Sequence, residues 1–114
     1  MKRIIFSVIA AVSSCSAFAE PDAIAKQEIS ELIERLASSG CRFNRNGSWY
    51  DASQALRHLN RKYEYLLKRD LVANAEAFIE RAASQSSASG KPYLVKCADA
   101  PEMQSAAWFR KVLE

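Results

Sequence analysis

At 114 residues the chain is sized for a single domain. It is 49% apolar and 25% charged, with three Gly and three Pro, which excludes a disordered tail, a collagen-like repeat and a disulfide-dense miniprotein. The formal charge of +3 reflects 16 basic and 13 acidic residues; without Lys2 and Arg3, which lie in a segment expected to be removed, the balance is 14 to 13, or +1, and that gives no ground for nucleic-acid or membrane-surface binding.

Met1-Lys2-Arg3 is basic, residues 4–12 are apolar, and Ala17-Phe18-Ala19 has the small-x-small form that precedes a cleavage site. This is the secretory signal pattern. It predicts residues 1–19 as a signal peptide, residues 20–114 as one mature domain, and the periplasm as the compartment. The apolar run is too short to span a bilayer well. A competing reading finds a lipoprotein processing box at Val12-Ser13-Ser14-Cys15, with a lipidated Cys15 tethering the domain to a membrane; the Ala-x-Ala site is the better match.

Cleavage would leave Cys41 and Cys97. An even pair in an oxidising compartment points to a disulfide, with two separate thiols as the alternative. The chain has one His and no paired Cys or His at ligand spacing, so neither a metal nor a cofactor is expected.

Along the mature chain, Ile24, Ile29, Leu32, Ile33 and Leu36 recur at steps of three and four and predict a helix over 21–39, stopped by Gly40. Residues 41–44 read as a short extended stretch with Phe43 inward. Asn46-Gly47 then turns the chain, because both residues accept positive φ. Ser48 is expected to cap a long second helix ending near Lys68, with Trp49, Ala52, Leu56, Leu59, Tyr63 and Leu66 on its apolar face. Asn74 looks like the cap of a third helix to about Ala83, with Phe78, Ile79 and Ala82 inward. Residues 84–90 form a Ser-rich loop, and 91–96 read as a strand with Tyr93 and Val95 on one face. Asp99, Pro101 and Glu102 mark the start of a last helix anchored by Trp108, Phe109, Val112 and Leu113. The expected fold class is mainly α: a small domain of about four helices, one disulfide, and room for two short strands pairing near Cys41 and Cys97.

Two groups of residues carry a family resemblance. One is Phe43-Asn44-Arg45-Asn46-Gly47 with Tyr50, Ala55, His58, Leu59 and Lys62. The other is Ala75-Glu76 and Phe78-Ile79 with the stretch SQSSASGKPY at 84–93. Together they resemble the YfeK-like family of small exported bacterial proteins, a domain of unknown function. The resemblance spans about residues 25–97 and is most specific in the Ser-rich loop and Ser-Gly-Lys-Pro-Tyr. Asn74 stands where a Thr is expected, and both are good caps. The resemblance implies a periplasmic or envelope location and no reaction.

On a helical projection Tyr50, Gln54, His58, Arg61 and Tyr65 form a stripe opposite the Leu face, with Lys62 at its edge. The plain reading is a solvated face; the functional one is a docking surface, since Tyr and Arg dominate binding hot spots. Arg45 in its turn suits bidentate capture of carboxylate or phosphate, or else simply pairs with an acidic helix residue. Asn46 and Gly47 are explained more simply by backbone conformation. The Ser84, Ser86, Ser87, Ser89, Gly90, Lys91 loop resembles a phosphate loop in composition only: Gln85 stands where the first Gly is needed and Pro92 follows the Lys, which excludes nucleotide binding. Ser and His58 lack a nucleophile-elbow motif, and Asp51, Glu64 and Glu76 lie singly.

These residues point to a non-catalytic binding module for an envelope protein partner, in an inhibitor, immunity or accessory role. Its candidate surface comprises Arg45, Asn46, Tyr50, His58, Arg61, Lys62, Ser87, Ser89, Lys91 and Tyr93. The alternative is a binder of a small anionic or glycan cell-wall ligand, which requires a concave pocket where Arg45, His58 and Lys91 converge. A small hydrolase ranks below both, and would need His58 against a Ser hydroxyl.

Overall fold

The computed structural model describes residues 20–114; the expected signal peptide and Cys15 lie outside them. In chain order the elements are α1 (Ala23–Ser38), β1 (Arg42–Arg45), β2 (Ser48–Tyr50), α2 (Ala52–Leu67), α3 (Ala75–Ala82), β3 (Leu94–Lys96), β4 (Met103–Gln104) and α4 (Ser105–Leu113). The strands form one antiparallel sheet in the order β2-β1-β3-β4. The described residues therefore hold the four expected helices and a sheet twice as wide as the two strands allowed for. Among the described residues, no helix is long and apolar enough to cross a membrane.

Each of the first three helices starts on a side chain that accepts from one of its free N–H groups. Asp22 accepts from the amide of Ala25 at 2.8 Å, and Asn74 accepts from that of Ala77 at 2.8 Å. Asp51 and Gln54 form a reciprocal box: the Asp51 carboxylate accepts from the Gln54 amide at 2.8 Å, and the Gln54 side chain accepts from the Asp51 amide at 3.1 Å. α1 buries Ile29, Leu32, Ile33 and Leu36, as its periodicity predicts, but leaves Ile24, in its first turn, exposed; α3 buries Phe78, Ile79 and Ala82. Phe78 sits among rings, edge-on to Tyr63 at 5.7 Å and to Phe109 at 6.2 Å. Each such contact adds about 0.5–1.5 kcal/mol beyond burial of area.

Three element starts differ from expectation. Residues 48–50 open no helix; they form β2, and the cap is Asp51 rather than Ser48. Trp49 continues the three-four spacing of α2, so the pattern reads through the boundary. The backbone decides otherwise. Asn46 and Gly47 both hold positive φ, 54° and 84°, in a two-residue hairpin turn that commits Ser48 to pair with Arg45. The last helix begins at Ser105 rather than near Pro101, because Met103 and Gln104 first pair with Val95 and Leu94. The strand expected over 91–96 keeps its ladder only from Leu94, while Pro92 makes an isolated bridge to Gln85.

Cys41 and Cys97 form a disulfide across a sequence separation of 56. The sheet register explains the pairing. Arg42 lies opposite Lys96, so the antiparallel ladder brings the residues just outside that pair, 41 and 97, face to face. The bridge thus ties the start of β1 to the end of β3 beside the buried Phe43 and Val95.

Candidate functional site

The hairpin turn places Arg45 at the end of β1, and the chain enters α2 within a few residues. His58 and Lys62, one helical turn apart, share a face of α2. The 83–93 segment closes on itself over this face: the amide of Ser86 donates to the carbonyl of Lys91 at 3.0 Å, that of Gly90 to Ser86 at 2.9 Å, and that of Tyr93 to Ser84 at 2.9 Å. Tyr93 is 1% exposed, its ring tilted against Phe43 at 5.0 Å and edge-on to His58 at 5.6 Å.

These elements join Arg45, His58, Tyr93 and Lys62 in one chain of hydrogen bonds. Arg45 Nη1 lies 3.1 Å from His58 Nδ1, and His58 Nε2 lies 3.0 Å from the Tyr93 hydroxyl. Lys62 Nζ donates to the same hydroxyl at 3.2 Å and to the Gln85 carbonyl at 3.1 Å. Donor chemistry assigns the protons. A guanidinium only donates, so Nδ1 accepts, the imidazole is neutral, and Nε2 carries its hydrogen toward Tyr93. An ammonium only donates as well. The Tyr93 oxygen thus receives two hydrogen bonds, which fills its lone pairs and leaves its own O–H as a donor. Among the described residues no acceptor meets that O–H.

Arg45, His58, Lys62 and Tyr93 line a cavity of about 230 Å³, together with Ser86 and Ser87. Burial pushes the His58 pKa down to about 4, and the charges of Arg45, Lys62 and Arg61 push the same way. Burial and Arg45 lower Lys62. Burial raises Tyr93, with Arg45 opposing. No carboxylate lines the cavity. The one ion pair among the described residues, Arg110 with Glu76 at 2.7 Å, belongs to α4 and α3.

The remaining predicted residues fall in three places. Asn46 is more than a turn residue: its amide nitrogen donates to Ser86 Oγ at 3.2 Å, and its carbonyl oxygen accepts from Ser89 Oγ. It clasps the hairpin to the Ser-rich loop, where the buried Ser86 hydroxyl also accepts from the amides of Ala88 and Ser89 at 3.2 and 3.3 Å. Tyr50 leaves the helical stripe, because it belongs to β2; its ring lies under Arg45 at 5.5 Å. Gln54 leaves it too, its side chain spent in the α2 cap.

His58 is half-buried with both ring nitrogens engaged, in contrast to the solvated face expected of its stripe. Neither nitrogen meets a serine hydroxyl. Lys91 does not converge with Arg45 and His58. It lines a separate concavity of about 450 Å³ with Asn44, Trp49 and Glu102, and Lys62 takes the place expected of it. Arg61 and Ser87 line a groove of about 480 Å³ that shares His58 and Lys62 with the cavity. Sequence reasoning missed two participants, Arg81 in that groove and the Gln85 carbonyl. Arg81 carries no motif, and a backbone carbonyl leaves no mark in a sequence.

Comparison with known proteins agrees with this architecture in extent. The chain is 35% identical over 94 residues to the "Uncharacterized protein YfeK" of Salmonella typhimurium (strain LT2), an alignment covering 82% of this chain and 77% of that protein. No solved structure matches it. The family of unknown function DUF5329 matches residues 23–114, from the first residue of α1 to the last residue of the chain. The chain belongs to that family.

Proposed function

We propose that this protein is an exported, non-catalytic binding domain of the cell envelope, and that the Arg45–His58–Tyr93–Lys62 cavity takes an anionic group of a small ligand. One observation carries the reading: the Arg45 guanidinium and the Lys62 ammonium line one cavity that, among the described residues, no carboxylate lines. Its charged side chains are all donors, its other polar groups, Asn46 and the Ser86 and Ser87 hydroxyls, are neutral, and a carboxylate or phosphate oxygen is the complement. Export rests on the leader pattern, and the Cys41–Cys97 bridge suits an oxidising compartment. With Nδ1 and Nε2 both engaged, His58 is a positioned donor holding Tyr93 rather than a free base.

Calorimetric titration with inorganic phosphate and with acetate tests this. Saturable binding that weakens about tenfold in Arg45→Met, equivalent to about 1.4 kcal/mol, is the expected result. Equal binding by wild type and variant, or none by either, would remove the reading.

A protein partner is the second reading. It is favoured by Tyr65, which is 55% exposed on the outer face of α2 beside Arg61. In-cell crosslinking of the tagged protein, compared with an Arg45→Ala/His58→Ala/Lys91→Ala variant, would show a defined band lost in the variant.

A further inference from the structure

The anion cavity does not stand alone. The groove beside it is lined by Arg61 of α2, Arg81 in the last turn of α3, Tyr65 and Leu66, and it shares His58, Lys62 and Ser87 with the cavity. The two concavities are neighbours that share these three residues. Their cations are Arg45, Lys62, Arg61 and Arg81, drawn from β1, α2 and α3, and no carboxylate lines either one. Among the described residues none of these four side chains is in an ion pair. Like charges gathered this way repel unless a counter-charge lies among them. Arg61 belongs to the same electrostatic unit as the cavity, since its charge acts on His58.

We infer that the Arg61/Arg81 groove is a second anion subsite, so that the ligand is an elongated oligoanion with one charged group at Arg45 and Lys62 and another at Arg61 and Arg81. This rests on the cavity reading proposed above and extends it from a single anionic group to a ligand class. The shared chemistry is oxyanions repeated along a chain, as in a phosphorylated or uronic-acid-bearing glycan. Leu66 and Tyr65 supply an apolar wall beside the cations, which suits a carbon skeleton carrying the charges. Two linked contacts gain over one because the second forms at high effective concentration.

The test titrates inorganic phosphate, tripolyphosphate and trigalacturonate into the wild type, Arg61→Gln/Arg81→Gln, and Lys26→Gln/Lys111→Gln. Lys26 and Lys111 are exposed on α1 and α4, so the last variant removes the same net charge elsewhere. At least one trivalent probe is expected to bind about tenfold more tightly than phosphate. That advantage should vanish in Arg61→Gln/Arg81→Gln, with phosphate binding changed less than about twofold, and should persist in Lys26→Gln/Lys111→Gln.

Gain with tripolyphosphate alone identifies a phosphorylated ligand, and gain with trigalacturonate alone a uronate; gain with both supports the subsite for either class. Phosphate binding with no trivalent advantage, or an advantage lost equally in both variants, would overturn the subsite and leave the cavity reading intact. Failure of phosphate and acetate to bind the wild type would overturn both.

Discussion

The guanidinium of Arg45 meets Nδ1 of His58 at 3.1 Å, and this contact sets the tautomer of the imidazole. A donor-only group on Nδ1 makes that nitrogen an acceptor, which places the ring hydrogen on Nε2 and directs it to Tyr93. Protonating the ring would put a third cation against Arg45 and Lys62. The pKa accordingly falls from 6.5 to about 4, with burial the larger cause.

A pH dependence follows. Between pH 6.5 and about 4 the unfolded chain takes up a proton that the folded site resists, so stability is full above that window and falls as pH drops through it. The ring is half-buried, and solvent screening moderates the loss. Denaturant midpoints measured from pH 7 to pH 4.5 should decline in the wild type and decline less in His58→Gln. Identical slopes would mean that His58 titrates normally.

Asn46 holds two roles that separate by substitution. It adopts φ of 54° and clasps Ser86 and Ser89. Asn46→Gly keeps the turn and loses the clasp; Asn46→Ala loses both. Gly should cost about 1 kcal/mol for the lost hydrogen bonds, and Ala about 1–2 kcal/mol more for the left-handed backbone. In both variants the Ala88 and Ser89 amides should exchange faster with deuterium. Unchanged exchange in Asn46→Gly would show that the loop holds itself.

The Cys41–Cys97 bridge spans a separation of 56 residues. Loop closure of that length restricts the unfolded chain by about 4 kcal/mol, a large share of the ~5–15 kcal/mol net stability typical of a domain. Cys41→Ala/Cys97→Ala should lower the unfolding free energy measured in urea by that order, and reduction of the wild type should do the same. A shift under about 1 kcal/mol would mean that the sheet register, not the bridge, holds β1 and β3 together.

Ser105 presents the opposite case. It is 0% exposed, its amide donates to the Tyr93 carbonyl at 2.8 Å, and its hydroxyl has no partner among the described residues. Removing an unsatisfied buried hydroxyl recovers part of a desolvation cost of about 1–3 kcal/mol. Ser105→Ala should therefore leave stability unchanged or raise it by up to about 1 kcal/mol. A clear loss would reveal a partner for the hydroxyl.

Much of this fold was legible because local chemistry and tertiary context agree. Asn74 caps α3, Asn46-Gly47 turns the hairpin, the α3 stripe and the α1 stripe from Ile29 onward are buried, and the two cysteines pair. β2 was hidden because Trp49 extends the helical spacing of α2 across the Asp51 cap. β4 was hidden because two residues have no periodicity to show. In the site, Arg45, His58 and Lys62 stood out by residue type. Their meeting with Tyr93 depends on the 83–93 segment folding over α2, a contact 35 residues from His58. Lys91 misled for the same reason: its place in a suggestive loop says nothing about which side of the loop it lines.

The chain has a single histidine, so its ring can be observed without assignment ambiguity. Nitrogen-15 NMR of the imidazole at pH 6, recorded with increasing inorganic phosphate, tests the anion cavity most directly. The account predicts a neutral ring protonated at Nε2, with both nitrogen signals shifting saturably as phosphate binds beside it and no such shift in Arg45→Met. A ring already protonated at pH 6, or a neutral ring indifferent to phosphate, would contradict it.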